Sequence, residues 1–313
     1  MSAHEILYAK YRARRNKVHI GASPAFYLSR SGQDFSPADI LAALPCAARL
    51  GLSALQLELW KASGLEGWTP GAVSELRERF ADTGLVPSQF VAHFALDDFR
   101  SAESLAHPRH DEDFKRCVHL AAEFTDCPIV TLPIPAFSVP GGVTQTAFAD
   151  ARAFLAELLG RRLEVASAAG KRLALEILPA SIIGGTEGFV RLRAEAGLGN
   201  LAYNFDVGHA WARKECLDLV PALLGTALAG THLCDNRGHE NLKYRPGLGS
   251  VDWGALLAAL EASGYAGSLD LEILCGPDEV EDEYAAGLAY LTSLRAGQEP
   301  GSTLRQGRNR ATH

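Results

Sequence analysis

No apolar run in this 313-residue chain approaches the ~20 residues that a membrane-spanning helix needs. The longest, such as LVPALLGTALAG, are interrupted by Pro and Gly, so a soluble protein without a membrane partner is expected. Positive charge is in short supply too. The 30 Lys and Arg stand against 37 Asp and Glu, and a formal net charge of -7 gives no general pull toward phosphate backbones or anionic lipid. Nucleic acid is therefore disfavoured as a partner. The six cysteines (Cys46, Cys117, Cys127, Cys216, Cys234, Cys275) form no CxxC pair and lack the density of a disulfide scaffold. That pattern excludes a structural zinc knuckle and points to reduced thiols in a cytoplasm. The basic N-terminus, MSAHEILYAKYRARRNKVHI, has neither the apolar region nor the cleavage site of a secretory signal; residues 1–16 read as a surface arm. A phosphate-binding GxGxxG is missing after the first strand, where the chain has GASPAFYLSRSG, and the GLG at 247–249 follows the polar KYRP.

What is present is alternation. Eight β-rich runs recur, at 17–23, 53–59, 88–94, 128–134, 172–178, 201–207, 230–236 and 268–274. Between them lie amphipathic stretches such as SPADILAALPCAARLG, TPGAVSELRERFADTG and VDWGALLAALEASG, opened by Ser, Thr or Asp and closed by Gly as helices commonly are. Alternating strands and helices predict βαβ units around a parallel sheet. Eight such units with no linker rich in Pro, Gly or Ser fit one (β/α)8 TIM barrel over 17–296, leaving a polar, flexible tail at 297–313. Exposed barrel helices also allow a homo-oligomer, although no patch in the sequence identifies one.

In such a barrel the chemistry gathers at the C-terminal ends of the strands, where side chains of one parity point inward. Strand five offers Glu176, strand six Asn204 and Asp206, strand seven His232 and Cys234, strand eight Asp270 and Glu272. Each taken alone has a structural explanation as a cap, an ion pair or a satisfied hydrogen bond. Together they do not, because three carboxylates converging in an apolar barrel repel one another unless a cation compensates them. Three carboxylates and an imidazole suit one divalent metal ion, Mn2+, Mg2+, Co2+ or Zn2+, and suit copper(I) or iron-sulfur clusters poorly.

The same residues carry a family resemblance. LALEILP, NFDVGHAW, THLCDNRG, SLDLEI and YRPGLGSVDWGALLAAL make the chain resemble the sugar phosphate isomerase/epimerase superfamily. These xylose isomerase-like barrels include ketose 3-epimerases, hydroxypyruvate isomerases, inosose dehydratases and endonuclease IV. The resemblance implies that Glu176, Asp206, His232 and Glu272 bind one divalent ion and that His209 contacts substrate oxygens. It further implies that Glu176 and Glu272 are catalytic, one removing a proton beside a polarised carbonyl to give an ene-diolate and the other returning it. The implied activity is that of a sugar or polyol isomerase or epimerase, with a small sugar, polyol or keto acid as partner. A dehydratase is the first alternative; an endonuclease IV-like phosphodiesterase and a non-catalytic sugar-binding barrel are more remote.

Further candidates surround this set. Arg237 is a candidate for a substrate hydroxyl or phosphate, and Glu58 and His93 for the opposite wall of the pocket. Trp60, Trp68 and Trp211 are candidate walls for the apolar face of a sugar. Many relatives carry a histidine just before the Pro-Gly stretch, where this chain has LKYRPG, so Lys243, Tyr244 or Arg245 takes that place. Gly208 is expected to let the backbone turn tightly between Asp206 and His209.

Overall fold

The computed structural model describes residues 19–139 and 142–298. The expected arm at 1–16, the start of the first strand and the tail beyond residue 298 lie outside the described residues. Eight parallel strands close on themselves in sequence order: β1 (Ile20–Ala22), β2 (Ala54–Leu59), β3 (Val86–Ala92), β4 (Ile129–Ile134), β5 (Arg172–Ile177), β6 (Ala202–Asp206), β7 (Leu228–Leu233) and β8 (Leu269–Leu271). β1 pairs with β8, so no sheet edge is left open. The predicted alternation is thus a (β/α)8 barrel. β8 keeps only three residues of its apolar run, because the last residues of the run, from Glu272 on, already bend into the loop at the barrel mouth.

Helix boundaries follow the local chemistry. Asp39 accepts from the Ser36 backbone N–H at 2.8 Å ahead of the helix Pro37–Arg49. Thr69 and Asp252 cap Pro70–Thr83 and Trp253–Ala262 by accepting from Ala72 N and Ala255 N at 3.2 and 3.0 Å. The main core lies between the strands and the helix ring, where Phe26, Phe90, Phe114, Leu155 and Phe189 are fully buried. Among the described residues no helix is long and apolar enough to cross a membrane.

Inside the barrel the side chains form tiers. At the bottom Ile129, Ala174, Ala202 and Ala229 make a small apolar plug. Above them is a polar tier of Gln56, Ser88, Gln89, Thr131, Asn204 and Asp270, all buried. Glycines make room for it, since a Cβ on Gly21 would lie 2.2 Å from Asp270 Oδ1 and one on Gly230 would lie 2.4 Å from Gln89 Nε2. The registers Asp206 with His232 and His232 with Asp270 set β6, β7 and β8 level, so their ends reach one height. Glu58, Glu176, Asp206, His232 and Glu272 form the top tier.

Candidate metal centre and active site

Glu176 lies in β5, Asp206 ends β6, His232 is in β7, and Glu272 stands one residue past β8. One ligand atom from each can be chosen so that all lie within 4.8 Å of one another, and all four residues are buried. His232 Nδ1 sits 3.3 Å from Glu176 Oε2 and 3.5 Å from Glu272 Oε1. At these separations the contacts are Coulombic, and Nδ1 has no hydrogen-bond partner of good geometry.

The spacing in NFDVGHAW has a local cause. Asp206 is the N-cap of the short helix Val207–Ala212, and its Oδ1 accepts from the backbone N–H of His209, the third helical residue, at 2.7 Å. The cap turns the His209 ring back toward the cluster, with Nε2 3.4 Å from Asp206 Oδ2 and 3.7 Å from Glu176 Oε1. Gly208 is needed for space rather than for an unusual φ, which corrects the expectation. A Cβ there would lie 2.2 Å from Asn241 Oδ1 and 2.6 Å from Cys234 Sγ, and Gly208 is absent from the positive-φ glycines.

The THLCDNRG and Pro-Gly stretches are tied together by Asp235. Its carboxylate accepts from the N–H groups of Asn236, Gly247 and Val251 and from Trp253 Nε1, at 2.9, 2.9, 3.2 and 2.9 Å. This knot holds the loop that delivers Lys243, a residue in the left-handed region at φ 49° whose carbonyl accepts from Leu274 N at 3.0 Å. Lys243 Nζ reaches Glu272 Oε1 at 2.7 Å. Arg237, the candidate for a substrate hydroxyl or phosphate, stands exposed on the same loop, and the cation that meets Glu272 is Lys243.

The electrostatics follow from crowding. Burial opposes a charge on His232, but Glu176 and Glu272 overcome it and hold the ring protonated up to about 10. Burial likewise opposes the charge of Lys243, and Glu272, Asp206 and Glu176 outweigh it, so its pKa is raised. Glu176 is pulled below its ordinary value against burial by His232 and Lys243. Burial drives Asp206 and Glu272 upward, and burial reinforced by Glu176 takes Glu58 to about 8. His209 and His93 fall to about 4, chiefly through burial. Burial also pushes the Cys234 thiol well up, with Asp206 and Glu272 adding to the effect, so Cys234 is a small neutral neighbour rather than a nucleophile.

The residues fit a divalent cation on the chemistry of the donor set. Three carboxylates and an unpartnered imidazole nitrogen converge from four strands, a hard to borderline set of one N and three O donors. Glu58 and His93 lie on the β2 and β3 side of the mouth. His93 stacks on Trp60 with ring centroids 3.6 Å apart. The pair lines a cavity of about 240 Å³ with Lys61, Phe94, Asp97 and Arg100, and Glu58 lines an adjoining one of about 160 Å³. Trp68 packs on Phe90 and Phe124 with only 6% of its surface exposed, so it belongs mainly to the core. Trp211 is tied down by its Nε1, which donates to Ser250 Oγ at 3.1 Å.

The chain belongs to the xylose isomerase-like TIM barrel family, whose model matches residues 45–294. Among solved structures it is similar to a 3-keto-D-glucoside 4-epimerase from E. coli, with 19% identity, a TM-score of 0.68, and coverage of 88% of this chain and 100% of that one. A D-allulose 3-epimerase from Methylomonas sp. has 16% identity and a TM-score of 0.67, covering 89% of this chain and 98% of its own. At these identities the likeness is one of fold. An uncharacterized protein of Methanocaldococcus jannaschii is 27% identical over 119 residues, and the matched stretch spans 36% of this chain and 41% of that relative.

Proposed function

We propose that the chain is a divalent-metal-dependent epimerase or isomerase of a neutral sugar or polyol-derived ketone, with Glu176 and Glu272 moving the proton. The observation that carries the reading is the pair of carboxylates flanking His232 Nδ1 at 3.3 and 3.5 Å, one from β5 and one from the end of β8. A small molecule held at the cluster would have a carboxylate on either flank. Glu176, Asp206, His232 and Glu272 would hold the ion. When bound, a divalent ion polarises an adjacent carbonyl and hydroxyl, making the neighbouring C–H more acidic.

One glutamate takes that proton and the other returns one. Return to the opposite face of the same carbon gives an epimer; return to the next carbon gives an isomer. His209 is placed to hydrogen-bond a substrate hydroxyl through Nε2, and Lys243 holds Glu272 in position. Burial of all four ligand residues keeps bulk water from competing for the proton. Three ligand carboxylates balance a divalent ion plus the Lys243 ammonium, which favours an uncharged substrate over a phosphate or carboxylate. The Trp60–His93 stack offers a flat surface suited to the apolar face of a sugar, with Glu58 and His93 on that wall. Two of the solved structures it resembles bear the names of sugar epimerases, which supports the same class here.

The test is solvent exchange. Protein loaded in turn with Mn2+, Mg2+, Co2+ or Zn2+ is incubated in deuterated water with ketoses, keto-glucosides, inososes and hydroxypyruvate. Deuterium at a carbon next to the carbonyl, lost in Glu176→Gln and Glu272→Gln, is the expected outcome. Metal binding with no label in any compound would overturn the proposal.

A further inference from the structure

We propose that Gln56, oriented by Asp270, is a positioning residue that fixes His232 as the Nε2–H tautomer and so leaves the Nδ1 lone pair for the metal. This rests on the reading of His232 as a ligand and names the device that makes it one.

Asp270 lies in the polar tier below the cluster. Asp270 is fully buried, and its Oδ2 accepts from Gln56 Nε2 at 2.7 Å and from Ser88 Oγ at 2.8 Å; the Ser268 hydroxyl donates to its other oxygen. An amide has a donor end and an acceptor end, and only its surroundings say which is which. The two orientations of Gln56 are far from equal. Turned the other way, its carbonyl oxygen would face the carboxylate of Asp270 at hydrogen-bond distance, acceptor against acceptor.

With the NH2 end committed to Asp270, Oε1 points up at His232 Nε2, 2.9 Å away. Oε1 can only accept. When an ion displaces one proton from the His232 ring, the proton that remains sits on Nε2, and the nitrogen laid bare is Nδ1, the atom between Glu176 and Glu272. A tautomer with hydrogen on Nδ1 would set two acceptors together at 2.9 Å and block the nitrogen that the ion needs. The relay thus runs from one carboxylate through one amide to one imidazole. It does for this histidine what a carboxylate or carbonyl bonded to the far ring nitrogen does for metal-binding histidines in general.

A merely structural role would show as lost stability; a positioning role shows in metal affinity and in the ring itself. Zn2+ is the probe because it is diamagnetic. Titration of the full-length protein with Zn2+ is compared across variants, each checked by circular dichroism and thermal melting. Gln56→Leu, which keeps much of the volume but removes the acceptor, is expected to weaken binding roughly 10- to 100-fold. Gln56→Glu alone sets two carboxylates against each other and also weakens it. The double variant Gln56→Glu/Asp270→Asn exchanges carboxylate and amide, restores an acceptor beneath His232, and recovers most of the affinity.

Long-range 15N–1H spectra of the Zn2+-loaded protein give the second readout, with the proton on Nε2 of His232. Three results overturn the inference: Gln56→Leu binding Zn2+ as tightly as the wild type, a double variant no better than Gln56→Glu, or a proton on Nδ1. A wild-type protein that binds none of the four ions overturns the metal reading itself, and this inference with it.

Discussion

Asp270 and Glu272 are two residues apart, share one parity and are both buried, at 0% and 6% exposure, yet their surroundings are opposite. Asp270 is wrapped in neutral donors from Gln56, Ser88 and Ser268. Glu272 meets charge, with the Lys243 ammonium at 2.7 Å and His232 at 3.5 Å. The lower carboxylate is closed by hydrogen bonds and acts only through the groups it orients; the upper one is held by Coulomb forces, which a ligand can replace. A buried carboxylate by itself says nothing about function. The nature of its partners does.

The largest break in that contrast comes from the upper tier. Glu176→Gln and Glu272→Gln should each slow deuterium exchange into substrate by about 10²- to 10⁴-fold, the usual worth of a positioned acid or base. Far-UV spectra and bound-metal content both unchanged from wild type would locate the loss in chemistry. Retained exchange in both variants would remove the glutamates from the mechanism.

Next comes the split within NFDVGHAW. Asp206→Ala should lose metal, because it removes a ligand oxygen and the N-cap together, and the lost cap costs about 1 kcal/mol of stability. His209→Ala should keep the metal and raise KM. Calorimetric titration of both variants with Mn2+ decides it, and equal metal loss in the two would merge the roles.

Lys243→Met probes the ammonium bonded to Glu272 and carries the opposite sign. Removing the ammonium that competes for Glu272 should tighten divalent-ion binding on the order of tenfold, a Coulomb change of about 1.4 kcal/mol, while slowing turnover. Weaker metal binding would show that Lys243 supports the site rather than competing in it.

Much of this was legible in the sequence, and the reason is periodicity. A strand has a period of two, so the inward faces of β5 to β8 were determined once the strands were located; Glu176, Asp206, His232 and Glu272 stood there beside Asn204, Cys234 and Asp270, and it was the family resemblance that singled the four out. What escaped depends on closure. Gln56 meets residues 176 and 214 positions away, and nothing local distinguishes it from any buried glutamine. Lys243 was one of three candidates for a missing histidine until the Asp235 knot showed which of them the loop turns inward. Gly208 misled because a sequence cannot tell a glycine that frees φ from one that makes room.

The lower tier supplies smaller effects. Gln89 bridges that tier, its Nε2 donating to Asn204 Oδ1 at 2.9 Å while its Oε1 accepts from the Thr131 hydroxyl. Gln89→Leu leaves both partners unsatisfied in a dry interior, which costs about 1–3 kcal/mol per group. Because neither partner touches His232 or Asp270, metal affinity should stay at the wild-type value while the melting temperature falls. At the far end of the scale, Arg237→Ala removes an exposed loop side chain and should change stability by less than about 0.5 kcal/mol. The pair gives the contrast its sharpest form. If Gln89→Leu weakened Zn2+ binding as much as Gln56→Leu does, the polar tier would act as one elastic support, and the relay from Asp270 through Gln56 to His232 would have no separate existence. Stability lost without affinity in one variant, and affinity lost in the other, would separate the scaffold from the device built on it.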